Sequence, residues 1–112
     1  MTVCLTTETE KTDLELELPE EPLRLKERTR AELEADPEAG NAKIADATFL
    51  AQPLWKGWGA ELRSRGMRRR EFFAIARGHS QEIRLWVVGE RPWEHCASGL
   101  AGRVRRRVGP RE

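Results

Sequence analysis

Apolar side chains recur at helical spacing through the second half of the chain. Leu54, Trp58 and Leu62 stand four residues apart with Trp55 beside them, and Pro53 and Gly66 bracket the run. This is the punctuation of an amphipathic helix with proline at its start and glycine past its end. A shorter stripe, Ile44, Ala47, Leu50 and Ala51, predicts a helix from about Ala42 to Ala51. Arg68 to Arg77 predicts a third, with Phe72, Ile75 and Ala76 inward, Arg68, Arg69 and Arg70 mostly outward, and Gly78 at its close. Ser80 to Val88 predicts a fourth, ending at Gly89. Pro92 opens the last, in which Trp93, Cys96 or Ala97, Leu100, Val104 and Val108 keep the period. One alternative stays open. Phe73, Ile75, Ile83, Leu85 and Val87 also alternate, so FFAIA and EIRLWVV would suit a β-hairpin joined by a loop of about five residues.

The first half has no comparable stripe. Leu14, Leu16 and Leu18 alternate with acids in DLELEL, a strand pattern that Pro19 and Pro22 cut short without any neighbouring strand. Such a segment reads as a solvated tail, or as an acidic leucine peptide that lies on a partner's sheet edge or in a groove. Residues 22–36 are helix-friendly, with Arg28–Glu32 and Arg30–Glu34 at i,i+4. Their stripe of Leu23, Leu25 and Leu33 is thin, so that helix is marginal unless it docks. Pro37, Gly40 and Asn41 read as a linker. The expected organisation is an acidic, largely disordered arm over 1–41, a Trp- and Arg-rich domain over 42–108, and a tail over 109–112. The fold class is all-α, a bundle of four to five short helices. At 112 residues the chain holds one small core and excludes a two-domain enzyme.

Charge sharpens this division. The net charge of +1 hides six basic against thirteen acidic residues in 1–50, a net of −7, and fourteen against six in 51–112, a net of +8. All four tryptophans lie in the basic half. Arg63, Arg65, Arg68, Arg69 and Arg70 form one cluster, and Arg103, Arg105, Arg106, Arg107 and Arg111 crowd the other end. Clustered arginines supply the salt-sensitive, sequence-independent part of nucleic-acid affinity. They also oppose helix dipoles at C-termini, and the acidic arm is an internal partner for them. Trp58, Trp86 and Trp93 are expected in the core. Trp55, off the Leu54–Trp58–Leu62 stripe, is the expected exposed anchor, because Trp and Arg are enriched at interface hot spots.

Little else suggests chemistry. His95 and Cys96 are adjacent and point about 100° apart on a helix, a poor base–thiol pair. Cys96 falls on the apolar side, as a small buried hydrophobe would. Cys4, His79, His95 and Cys96 lack the paired spacing of a zinc site, and Gly57 and Gly59 are not followed by the Lys-Ser/Thr of a phosphate loop. No catalytic residue, metal or cofactor is expected. No apolar run reaches the ~20 residues of a membrane span, and the first dozen residues lack the signature of a secretory signal. With two cysteines and sixteen arginines against four lysines, a cytoplasmic protein of a GC-rich bacterium is the expectation.

Arg65-Gly66-Met67, Ser80-Gln81 and Gly89-Glu90-Arg91-Pro92 carry a family rhythm. On these, Leu62 to Pro92 resembles the helix-turn-helix of Cro/CI-type bacterial repressors. The resemblance implies DNA binding with Ser80–Val88 as recognition helix. It has gaps: Phe73 stands where the family has a small residue, the stretch from Gly78 to Gly89 is one residue short, and Leu85 to Val88 is wholly apolar. A recognition helix presents polar groups to base edges. The expected function is therefore a non-enzymatic nucleic-acid-associated module or regulator acting through both arginine clusters. The alternative is a protein-interaction adaptor that uses Trp55, Leu85 and the leucines Leu14, Leu16 and Leu18. A third reading is a homo-oligomer whose acidic arm lies on a neighbour's basic surface.

Overall fold

The computed structural model describes residues 16–108, and over them the chain is an all-α bundle. The helices are α1 (Leu23–Ala35), α2 (Pro37–Asp46), α3 (Thr48–Ser64), α4 (Arg69–Gly78), α5 (Ser80–Val87) and α6 (Trp93–Val108). The segment that also suited a hairpin is α4 and α5, and no strand occurs among the described residues. Leu14 and the tail 109–112 lie outside them.

Turn chemistry in the basic half behaves as its sequence suggests. Gly66 and Gly89 have φ of 92° and 89°, the left-handed region that glycine enters without steric cost. Past each helix end, backbone N–H groups fold back: Met67 N–H donates to Leu62 O at 2.9 Å, and Glu90 N–H to Leu85 O at 2.8 Å.

Boundaries differ where the break has no glycine or proline. The expected helices 42–51 and 53–66 are instead α2 and α3, divided at Ala47. This buried alanine sits at φ 57°, ψ 8°, an uncommon conformation for a residue with a Cβ. Pro53 lies inside α3. The Pro37–Asn41 segment is no linker. Asp36 caps α2, its Oδ1 accepting from Ala39 N–H at 3.4 Å, and Pro37 takes the first helical turn. Gly40 is buried because α1 crosses it closely: a Cβ there would stand 2.5 Å from Leu33 Cα.

The folded unit therefore reaches back past Ala42. α1 docks through Leu25, Thr29 and Leu33, the i, i+4, i+8 row. Thr29 is buried, whereas Leu23, two residues off that row, is 54% exposed. Lys43 pairs with Glu32 at 2.6 Å and ties α1 to α2. Before α1, residues 16–21 are neither tail nor strand. They form an extended strap laid across the bundle, with Leu16 buried. Three indoles hold it: Trp58 Nε1–H donates to Glu17 O at 2.8 Å, Trp93 Nε1–H to Pro19 O at 2.7 Å, and Trp86 Nε1–H to Glu21 Oε2 at 2.7 Å. A buried indole needs an acceptor, and the all-helical surroundings have spent their carbonyls on their own ladders.

The core lies between α3, α4, α5 and α6. Phe72 of α4 packs against Trp55 and Trp58 of α3, at 5.5 and 6.0 Å between ring centroids. Trp86 of α5 meets Trp93 of α6 at 5.0 Å. These tilted and edge-on contacts suit the ring quadrupole. Trp55 is thus a core residue, only 8% exposed, and not a surface anchor. α3 buries a second face because α4 covers the side that the Leu54–Trp58–Leu62 stripe leaves open.

Candidate functional site

Two arginine clusters, some forty residues apart in sequence, meet at Glu71. This carboxylate sits in the first turn of α4, where a helix favours negative charge. Its Oε1 accepts from Arg68 N–H at 2.8 Å and closes the helix start. Its Oε2 accepts from Arg107 Nη2 at 2.6 Å, which draws the end of α6 onto α4. One glutamate thereby joins the Arg65–Arg70 bend to the last turns of α6.

Two hollows flank that junction. The larger is an open groove of about 510 Å³ between α4 and α6, with Glu71, Ala74, Ile75 and Gly78 along one side and Arg103, Arg106 and Arg107 along the other. The smaller, about 250 Å³, is lined by Arg65, Gly66, Met67, Glu71, Arg107 and Val108. Arg103 and Arg106 are exposed and form no ion pair among the described residues. Arg70 and Arg77 flank Ala74 at i−4 and i+3 and extend the cationic strip along α4. Arg77 escapes a search for runs because it stands alone in sequence. Only its helical distance from Ala74 places it.

Other predicted arginines are engaged elsewhere. The Arg63 guanidinium lies 5.6 Å from the Trp55 ring and Arg69 lies 4.6 Å from Phe73. Arg65 is half-buried and pairs with Glu61 at 3.7 Å. Arg105 is exposed outside both hollows. The predicted protein-contact residues scatter. Trp55 and Leu16 are buried, Leu85 is half-buried, and Leu18 is 41% exposed. In α5, Ile83, Trp86 and Val87 are buried, Gln81 and Arg84 face outward, and Arg84 donates to Asn41 Oδ1 of α2.

Beneath the groove, His79 links α4 to α6. Its Nε2–H donates to Cys96 O at 3.0 Å, so Nδ1 is the bare acceptor, and it finds no partner among the described residues. Gly99 makes room for the ring: a Cβ there would stand 2.9 Å from Cε1. Burial holds the His79 pKa below 6.5, and the charges of Arg103 and His95 push it the same way against the Cys96 carbonyl and Glu82. Unfolding releases the ring to its ordinary pKa, so the unfolded chain binds more protons below pH 6.5. The contribution of neutral His79 is complete above that value and is lost as pH falls from it toward the folded pKa. We expect the urea midpoint to drop between about pH 7 and pH 5, with a shallower drop in His79→Gln. Equal slopes in both proteins would remove His79 as the cause. Cys96 is buried, and burial pushes its thiol up to about 12, far from the thiolate a nucleophile needs. His95 lies instead 3.3 Å from Glu82 on the surface. Among the described residues no group of three or more metal-ligating side chains occurs and no helix is long and apolar enough to cross a membrane. No protein-family model, curated protein or solved structure matches the chain.

Proposed function

We propose that the protein is a non-enzymatic cytoplasmic binding module whose α4–α6 face holds the phosphate backbone of a nucleic acid. The observation that carries this reading is the groove flanked by Arg103, Arg106 and Arg107, with Arg70 and Arg77 exposed elsewhere on α4. Arginine presents a planar fork suited to phosphate oxygens, and exposed guanidiniums are free to exchange counterions for them. The groove offers little to read bases. Beside the arginines it is lined by Ala74, Ile75, Gly78 and Glu71, whose carboxylate is taken up by Arg107. Recognition therefore runs through the charge of Arg103 and Arg106 and through shape, and not through base edges. Internal neutralisation leaves this face cationic. Lys26–Glu21, Arg30–Glu34 and Lys43–Glu32 pair within the acidic half, while Arg107–Glu71 and Arg65–Glu61 pair within the basic half. The adaptor reading loses two of its anchors, since Trp55 and Leu16 are buried.

Binding of a short duplex should weaken steeply with salt. Arg103→Ala with Arg106→Ala should lower the slope of log K against log salt by about 2, near 0.9 per lost phosphate contact, without changing the melting temperature. Fluorescence anisotropy over a salt series measures it. A double variant that binds like the parent, or a parent that shows no binding at low salt, would overturn the proposal.

A further inference from the structure

Among the described residues the only exposed large apolar side chains are Leu18 and Leu23. They lie on the strap and just past its junction with α1, five residues apart. The junction is one residue. Pro22 has φ −81° and ψ 71°, and Leu23 N–H donates to Glu21 O at 2.9 Å, which together make an inverse γ-turn. Proline fixes φ near the value shared by this turn and by the extended polyproline conformation, so only ψ separates them, by about 75°. A rotation at Pro22 opens the turn and, once the Leu16 seat and the three indole hydrogen bonds are released, carries the strap off its own body.

We propose that the strap exchanges between two copies of this chain: in a dimer, Leu16–Glu21 of each copy seats against Trp58, Trp86 and Trp93 of the other. The groove's ligand chemistry is on view in its present occupant. It takes an extended Leu-x-x-Pro-x-Glu segment, offering indole donors to the carbonyls of Glu17 and Pro19 and to the Glu21 carboxylate, and buries Leu16 in the core cluster. A second copy carries that same segment by necessity, so exchange remakes every contact of the closed form. The net change in free energy is then set by the opened hinge and by whatever covers Leu18 and Leu23, the two apolar groups that the closed form leaves in water. Exchange of an identical element between copies is a low-cost route to a dimer. This inference is independent of the arginine face and holds whether or not that face binds nucleic acid.

Complementation between defective full-length chains tests it. Leu16→Asp spoils the strap and leaves the groove intact. Trp58→Phe with Trp93→Phe removes two clips and leaves the strap intact. After mild warming and cooling, a dye-labelled mixture of the two should form heterodimers in preference to either homodimer, because only the mixed pair holds one undamaged strap in one undamaged groove. The parent chain should show a dimer fraction that rises with concentration in sedimentation. Pro22→Gly, which slackens the hinge and favours closure within one chain, should lower that fraction; it also guards against a defective variant that fails to fold. A parent that stays monomeric at its highest soluble concentration overturns the proposal, as does a dimer without preferential mixing, which would be a plain surface contact.

Discussion

Removing residues 1–21 should cost the bundle about 4–6 kcal/mol. Burial of Leu16 contributes roughly 2 kcal/mol at about 25 cal/mol per Å². Each of the three indole hydrogen bonds adds about 1 kcal/mol net, a modest figure because water replaces the lost acceptor. Lys26 stands 5.9 Å from the Trp86 ring and 3.6 Å from Glu21, so this clasp loosens as well. Against the ~5–15 kcal/mol that hold a small domain together, this is a large fraction. For a domain of this size, about 4–8 °C per kcal/mol, the truncated chain should melt some 20 °C or more below the parent. Thermal circular dichroism reads the shift, and tryptophan emission should move to the red as the indoles meet water. A loss below about 1 kcal/mol would make the strap an ornament on a body that is stable without it. The single change Leu16→Asp should reproduce about half the effect, because it places a carboxylate at a buried position of the apolar core cluster.

That expectation rests on the feature least legible in the sequence. Helical period, Gly66, Gly89 and Pro92 announce the helices of the basic half because each signal is local, a backbone preference or a spacing along one chain. Burial of Trp58, Trp86 and Trp93 follows from the same stripes. What those tryptophans do with their N–H groups does not, since the acceptors lie 41 to 74 residues away in a segment patterned like a strand. Two other misreadings share this cause. Ala47 breaks α2 from α3 in a left-handed conformation with no sequence signature, its methyl group wholly buried. Trp55 lies off the stripe on its own helix, and only the arrival of Phe72 from α4 gives that flank something to bury against. Arginine clusters, by contrast, are visible in any charge map. Their union is not: it depends on Glu71, whose two oxygens serve two backbone segments that sequence alone leaves unrelated.

Phe72→Ala should be nearly as severe as the loss of the strap, and it should disturb the arginine face as well as the core. Phe72 is fully buried and touches three aromatic rings, Trp55, Trp58 and Phe73. Truncation of such a side chain costs about 3–5 kcal/mol, through lost transfer free energy and a cavity that rigid neighbours fill poorly. The neighbours here are indoles, one of them pinned by its bond to Glu17 O and so unable to collapse inward. Phe72 also adjoins Glu71 in the chain and is the inward anchor of the turn that Glu71 caps. Its loss should therefore loosen the start of α4, and with it the grip of Glu71 on Arg107. Chemical denaturation should show the lost stability as a lower midpoint at unchanged m-value, since the surface exposed on unfolding hardly differs. Below the melting transition, amide exchange should quicken in residues 69–75 and in the last turn of α6, more than in α1 and α2. Phe72→Leu separates the two consequences. It refills most of the volume at a cost of about 1–2 kcal/mol, and protection around Glu71 should return with it. If Phe72→Ala destabilised the bundle while exchange at Arg68 and Arg107 stayed as in the parent, the coupling between core and arginine face would be refuted, and Glu71 would hold the two clusters together without the ring beneath it.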